Sequence, residues 1–462
     1  MAFRECIPES LKTIIKQNIG FVPLGYRLGK QYSKVKDFLA SVQWATEDEI
    51  ADWQLMRLKQ IVEYAYHNVP GYHFLYKKAE VRPSDIRALA DIKLLPFVTK
   101  EMIRDNLNEF TSRTVPRSRL WYVSTGGSTG IPVGFFRPRL NSPTEDAFMH
   151  LGWERAGWRI GDSSAVLRGA FVGSEEKFWG HDRYNQNLLL SSYHLTERMY
   201  TEYVKKILEY RPRHLQAYPS AATMLADLIL TNRDVGRINF NIILLGSENI
   251  YEWQKKKLRA AFPGTRLFGW YGHAEGAILA PMCEYSDHYH IWPYYGLTEM
   301  YNETGGEPKQ GEVGQLIGTS FWNYATPFIR YRTSDIATMG NFGCQKCLRR
   351  FQLLEGIEGR LQEIIVTKSG RYISMTAINM HSDIFDNVQQ FQFHQQAPGK
   401  VVLNIIKKEN YADQDTHKIY SELMIKLGAD MELELVFVDM IQKAASGKYR
   451  FLKQDLEIKY GE

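Results

Sequence analysis

The chain has 462 residues, of which 44% are hydrophobic and 24% charged; 57 Lys and Arg stand against 52 Asp and Glu, for a formal charge of +5. That composition excludes a disordered chain, a collagen-like fibre and a coiled coil, and the mild basic bias falls short of the dense stripe of a nucleic-acid binder. No run of about 18 apolar residues spans a bilayer, and MAFRECIPES lacks the apolar core of a secretory signal, so a cytoplasmic protein is expected.

The first 115 residues read as mainly helical. Over residues 47–67 the apolar positions Ile50, Trp53, Met56, Leu58, Ile61, Val62 and Ala65 recur every three or four residues, and Asn68, Pro70 and Gly71 end the run. Leu11, Ile14, Ile15 and Ile19 form a shorter apolar face between lysines, read as a helix packed on the body rather than on a membrane surface. Strands are predicted at 121–123, 215–218, 241–245 and 266–270, with helices near 220–230 and 253–262. A further helix carries Phe148, His150, Trp153 and Trp158, expected as core packing, with an acid pocket as the alternative. Alternation of strand, polar loop and helix is the signature of a mostly parallel α/β sheet, whose ligands lie outside the carboxyl ends of the strands. After Gly359 the texture changes. Segments 363–367 and 371–374 flank Lys368-Ser369-Gly370, a hairpin signal; a helix (376–385), strands at 389–393 and 401–406, a helix (414–427) and a strand (432–438) follow. The predicted organisation is α/β: a large N-terminal domain, 1–358, with parallel or mixed sheets and flanking helices, and a small α+β domain, 359–462.

Four segments carry chemistry. Ser124-Thr125-Gly126-Gly127-Ser128-Thr129-Gly130-Ile131-Pro132 follows a predicted strand and is expected to precede a helix. Its glycines let backbone N–H groups crowd an anion while its hydroxyls add donors, which suits a polyphosphate. It lacks the lysine of a GxxxxGK[ST] loop. Tyr271-Gly272-His273-Ala274-Glu275 places a carboxylate where it can hold Mg²⁺. Tyr331-Arg332-Thr333-Ser334-Asp335 sets an acid beside a base, and Ser446-Gly447-Lys448 puts a lysine on a glycine-hinged loop. Each alone also fits a helix cap, a surface ion pair or a solvated charge.

In this order and spacing, with Gly359-Arg360, they resemble the adenylate-forming superfamily of acyl-CoA synthetases, nonribosomal adenylation domains and luciferases. Within it the chain is most similar to the phenylacetate–CoA ligase branch. Phe21-Val22-Pro23-Leu24-Gly25-Tyr26-Arg27-Leu28-Gly29 and Asn68-Val69-Pro70-Gly71-Tyr72 resemble its capsular-polysaccharide (CapK-type) members. The resemblance implies ATP-dependent formation of an acyl-adenylate, then transfer of the acyl group to an amine or thiol. By carry-over, Ser124, Thr125, Ser128 and Thr129, on the loop with Gly126, Gly127 and Gly130, cradle the β- and γ-phosphates. Glu275 ligates Mg²⁺, and Gly246, Ser247, Glu248 and Tyr271 line the adenine site beside Gly272 and His273. Asp335 takes the ribose hydroxyls, Arg360 sits near ribose and phosphate, and Lys448 bridges the acid and the α-phosphate. The small domain is expected to rotate between steps about Gln362. Three positions depart from the pattern: Ile131 stands where many members carry Lys, Ala274 where Thr or Ser is usual, and Gln362 where Asp or Lys is usual.

Cys344-Gln345-Lys346-Cys347 has zinc-ligand spacing, and Cys283 with His290 completes a Cys₃His set, with His288 as the alternate fourth ligand. A structural Zn²⁺ is therefore expected, against a reading of buried thiols. The leading function is a carboxylate-activating ligase in capsular or surface polysaccharide biosynthesis, whose partners are a small carboxylic acid, ATP and an amine, thiol (CoA) or glycan acceptor. An acyl- or aryl-CoA ligase is the second reading, and a degenerate nucleotide-binding or scaffold protein the third. The sequence leaves a homodimer open.

Overall fold

The computed structural model describes residues 24–124, 133–139, 141–168, 178–191, 197–231, 238–360, 363–370, 372–378, 383–385, 387–442 and 450–457. The expected face of Leu11 to Ile19, the loop from Thr125 to Pro132, Gln362 and Lys448 lie outside them. The chain divides into two compact units: 1–42 with 142–248 and 254–269, and 43–141 with 249–253 and 270–462.

The first unit is built on a parallel sheet. Neighbouring strands run Asn187–Ser191, Ser164–Arg168, His214–Ala217, Ile242–Leu245 and Arg266–Gly272, all parallel, with Trp179–Asp182 added antiparallel at one edge. Every residue of Ile242–Leu245 is buried, as a central strand covered on both faces requires. The helices Pro219–Thr231 and Glu252–Ala261 follow their strands at the predicted places. The helix Leu24–Val42 turns sharply at Gly29, where φ is +79°, a conformation glycine adopts without steric cost. On Asn141–Ala156, Phe148 is fully buried and His150 packs between Trp153 and Trp158, so this face is core as expected.

In the second unit, Thr46 caps the helix Glu47–Asn68 through a reciprocal pair with Glu49, and Ile50, Leu58, Ile61, Val62 and Ala65 form its buried stripe. Five antiparallel strands lie side by side in the order Tyr289–His290, Gln352–Arg360, Tyr331–Phe342, Val313–Ser320 and Gly296–Tyr301. Towards the C-terminus the hairpin Ile364–Val366/Tyr372–Ser374 forms as predicted. Of the helix expected over 376–385, Met375–Ile378 is helical and Asp383–Phe385 forms a 3₁₀ turn, while residues 379–382 lie outside those described. A mixed sheet follows, ordered Glu432–Phe437, Lys400–Lys407, Val388–Ala397 and Leu452–Gln454. The helix Asp413–Leu427 connects the parallel pair Lys400–Lys407 and Glu432–Phe437. Phe393, Leu403, Ile405, Ile419, Leu423 and Leu427 fill its core.

The segment Leu120–Ser124 corrects one expectation. Instead of feeding a helix, it pairs antiparallel with Gly134–Pro138, Ser124 opposite Gly134. The Ser/Thr/Gly run therefore lies between two paired strands, and the element described after it is the strand Gly134–Pro138. Among the described residues no helix is long and apolar enough to cross a membrane.

Candidate active site and a cysteine–histidine cluster

The strand Arg266–Gly272 delivers Tyr271 and then turns. Its residues from Trp270 pair antiparallel with Leu279–Pro281, and the turn between them carries His273 and Glu275. Gly276 takes φ +70° to close that turn, with its N–H donating to the His273 carbonyl at 3.0 Å. The turn lies flush on the five-stranded sheet. A Cβ on Gly296 would stand 2.1 Å from the Ala277 carbonyl oxygen, and one on Gly318 2.7 Å from the Ala277 Cβ. Glycine at those two sheet positions is what lets the turn seat there.

Two carboxylates are each held by a tyrosine. Tyr271 Oη donates to Asp335 Oδ2 at 2.7 Å, both residues buried. Tyr331 Oη donates to Glu275 Oε1 at 2.8 Å, and His273 Nδ1 lies 3.1 Å from Oε2. Burial works against ionisation of Glu275. The hydrogen bonds from His273 and the Tyr331 hydroxyl outweigh it and hold the carboxyl well below its ordinary value. The same burial, with the Glu275 charge, pushes the Tyr331 hydroxyl well above its ordinary value, so it stays protonated and keeps donating. Asp335 opens a tight segment: Ser334 has φ +64°, and Thr333 Oγ1 accepts from the Asp335 amide at 3.1 Å while donating to the Leu316 carbonyl at 2.7 Å. Across the long hairpin Asp335 is the register partner of Arg360.

In the first unit, Gly246-Ser247-Glu248 follows the carboxyl end of Ile242–Leu245. Ser247 has φ +70°, and its Oγ accepts from Arg168 Nη2 at 3.0 Å. Glu248 is satisfied as a cap, accepting from the Ser220 amide and hydroxyl at 3.0 Å each at the start of Pro219–Thr231. Arg168 ends the strand Ser164–Arg168, and its guanidinium stands 5.7 Å from the Tyr218 ring centroid. Sequence reasoning missed Arg168 and assigned Tyr331 no role. An apolar strand ending in Arg signals the former only faintly, whereas Tyr331 lies inside a segment already singled out.

The cysteines converge. Cys283, His290, Cys344 and Cys347 are all buried, with one ligand atom from each within 4.8 Å of the others. Cys283 Sγ lies 3.9 Å from Cys344 Sγ, and Cys347 Sγ 3.7 Å from His290 Nε2. Tetrahedral bonds of about 2.3 Å to sulfur and 2.0 Å to nitrogen put ligand atoms about 3.5–3.8 Å apart, so the donor set fits Zn²⁺. Of the two candidate histidines, His290 joins the group, while His288 contributes its carbonyl to the Cys283 amide at 2.8 Å. The Tyr285 amide donates to Cys283 Sγ at 3.4 Å. The Cys347 thiol, then His290, pull the Cys283 thiol well below its ordinary value.

Comparison with known proteins agrees with the pattern of motifs. The chain is 30% identical over 323 residues to a phenylacetate-coenzyme A ligase of Thermus thermophilus, an alignment covering 68% of this chain and 70% of the relative. The chain belongs to the phenylacetate–CoA ligase branch of the adenylate-forming enzymes. This adenylate-forming protein is an AMP-forming ligase that uses ATP. Protein CapK of Staphylococcus aureus is 23% identical over 414 residues, 87% of this ligase and 89% of the relative. A family model described as CapK C-terminal domain matches residues 365–455. Among solved structures, a 2-hydroxyisobutyryl-CoA ligase in the postadenylation state superposes with a TM-score of 0.69 at 19% identity, covering 89% of the ligase and 91% of that chain. At that identity the superposition speaks for the fold.

Proposed function

We propose that this ligase activates a carboxylic acid as its acyl-adenylate and passes the acyl group to an amine or thiol in the assembly of a capsular or other surface polysaccharide. The observation that carries adenylation is the pair of tyrosine-held carboxylates. Glu275 stays ionised although buried, and Asp335 is fixed by Tyr271 from the end of the strand Arg266–Gly272. An acid oxygen attacks the α-phosphorus, the bond to the β-phosphate oxygen breaks and pyrophosphate leaves. The acceptor then attacks the acyl carbon and AMP departs. Glu275, a hard oxygen donor, is assigned to Mg²⁺, which neutralises phosphate charge when bound. Asp335 accepts from the ribose hydroxyls. The turn at Gly246, Ser247 and Glu248 takes the adenine, the loop 124–130 the terminal phosphates, and Arg360 the ribose–phosphate edge. Lys448 draws acid and α-phosphate together, on a C-terminal domain that begins near residue 359 and turns about Gln362 between the steps. Zn²⁺ on Cys283, His290, Cys344 and Cys347 is a closed structural site with no position left for substrate.

The polysaccharide assignment is supported by the similarity to CapK, which extends over more of the chain than the similarity to the Thermus enzyme. That 30% identity favours a second reading, in which CoA is the thiol acceptor and an aryl or short acid the substrate. Pyrophosphate release with MgATP across aryl, fatty, amino and uronic acids, each run with CoA, with amines and with neither, tests both. Turnover raised by amines or sugar-linked acceptors supports the first reading, and turnover raised by CoA alone the second. No release with any acid would overturn adenylation.

A further inference from the structure

The imidazole of His273 touches no group that the reaction consumes, yet it is the residue on which the orientation of Glu275 turns. The Ile278 amide N–H donates to its Nε2 at 3.3 Å, so Nε2 carries the lone pair and the neutral ring holds its proton on Nδ1. That proton faces Glu275 Oε2 at 3.1 Å, while Tyr331 holds Oε1 at 2.8 Å. The side chain of His273 is 5% exposed and its ring lies near-parallel to that of Tyr331 at 6.4 Å.

We propose that His273 is a positioning residue for the cation site. Its Nδ1–H fixes the rotation of the Glu275 carboxylate so that the remaining lone pairs face a divalent ion. This inference rests on the reading of Glu275 as a cation ligand. A glutamate on an exposed turn samples several terminal rotations. One gripped at both oxygens by donors of fixed geometry has lost that freedom before the ion arrives. The neighbouring side chain cannot do this work, because the methyl group of Ala274 has no donor.

The competing role is local: through Nε2 the ring also latches the turn to Ile278. Two substitutions separate the roles. Asparagine sets its amide nitrogen close to the Nδ1 position, so His273→Asn keeps the donor to Glu275 and drops the latch. Glutamine sets its amide close to the Nε2 position, so His273→Gln keeps an acceptor for Ile278 and drops the donor.

The measurement is binding of Mn²⁺ with ATP to each full-length variant by electron paramagnetic resonance, without acid so that no turnover occurs. Glu275→Gln serves as reference, and the Mg²⁺ dependence of pyrophosphate release runs in parallel. The loss of a hydrogen bond to a charged group corresponds to about tenfold or more. His273→Gln should weaken Mn²⁺ binding by that factor and raise the Mg²⁺ requirement, with His273→Asn within about threefold of the unaltered protein. Unchanged binding in His273→Gln, or equal weakening in both variants, overturns the proposal and leaves a turn latch. If Glu275→Gln itself binds Mn²⁺ normally, the cation reading of Glu275 fails and the role of His273 falls with it. Weakening in Glu275→Gln but not in His273→Gln sinks the proposal alone.

Discussion

Replacing Tyr271 by Phe removes one hydroxyl and leaves the ring in place beside His273. The lost group is the donor to Asp335 Oδ2 at 2.7 Å, between residues 8% and 5% exposed. A hydrogen bond to a charged acceptor contributes about 1.5–3 kcal/mol, so a carboxylate released from it binds a ribose less well by about 10- to 150-fold. The contact is made alike in ground and transition states. The loss should therefore enter KM for ATP, with kcat changed far less. Steady-state pyrophosphate release against ATP concentration, with calorimetry of ATP binding, measures it, and Asp335→Asn serves as the limiting case. If Asp335→Asn raises KM steeply while Tyr271→Phe stays within about twofold, the hydroxyl does not position the carboxylate. If both leave KM unmoved, Asp335 is not the ribose ligand.

Protein purified without chelator should contain about one Zn²⁺ per chain by elemental analysis, and Cys344→Ser should lose the metal and melt lower. Metal-free protein with unaltered melting in that variant would leave a cluster of buried thiols. His150 tests pH linkage. Burial, then the Lys36 charge, lower its pKa to about 4 from an unfolded value near 6.5, while its Nδ1 lies 3.1 Å from the Tyr32 hydroxyl. Its folded pKa is depressed, so its contribution is full above pH 6.5 and lost as pH falls through 4, a drop of about 3 kcal/mol. Denaturant unfolding between pH 7 and 4 should show that drop, and His150→Phe should flatten it; an equally steep profile in the variant refutes it. Lys448→Ala should abolish pyrophosphate release yet still convert a supplied acyl-adenylate, and loss of both half-reactions would remove its assigned role.

The sequence carried its periodic elements well. The capped helix Glu47–Asn68 and the strands Ile242–Leu245 and Lys400–Lys407 fall within a few residues of their predicted places, because each is decided by one buried stripe or alternation over a short window. The ribbon Leu120–Ser124/Gly134–Pro138 was misread as strand and helix. Its second strand, Gly134-Phe135-Phe136-Arg137-Pro138, is short, and its pairing is a non-local fact. In the candidate site, identities were legible and partnerships were not. Asp335 and Glu275 stood out by motif, but nothing in the spacing said that Tyr271, 64 residues before Asp335, would hold it, or that Tyr331 would hold Glu275 across 56. Those pairs come from the packing of the turn after Arg266–Gly272 on the five-stranded sheet.

The strands Tyr331–Phe342 and Gln352–Arg360 explain why two unrelated signals share one element. Asp335 and Arg360 oppose each other near one end of the hairpin, and Cys344 and Cys347 lie in the turn at the other. The seven steps from Asp335 to Phe342 span roughly 23 Å of strand. At that distance a cation bound to the cysteines would exert no useful field on the groups around Asp335. A Zn²⁺ bound there would close a turn in which Leu348 sits at φ +62° and Arg349 is buried against Glu284 at 2.7 Å, features costly to hold by packing alone. Such a staple would tie the two strands together at the turn, while Asp335 pairs with Arg360 beyond three irregularities in the register. The cysteines would thus bear on the site through geometry alone, and their loss should cost stability first and nucleotide affinity only as the hairpin frays.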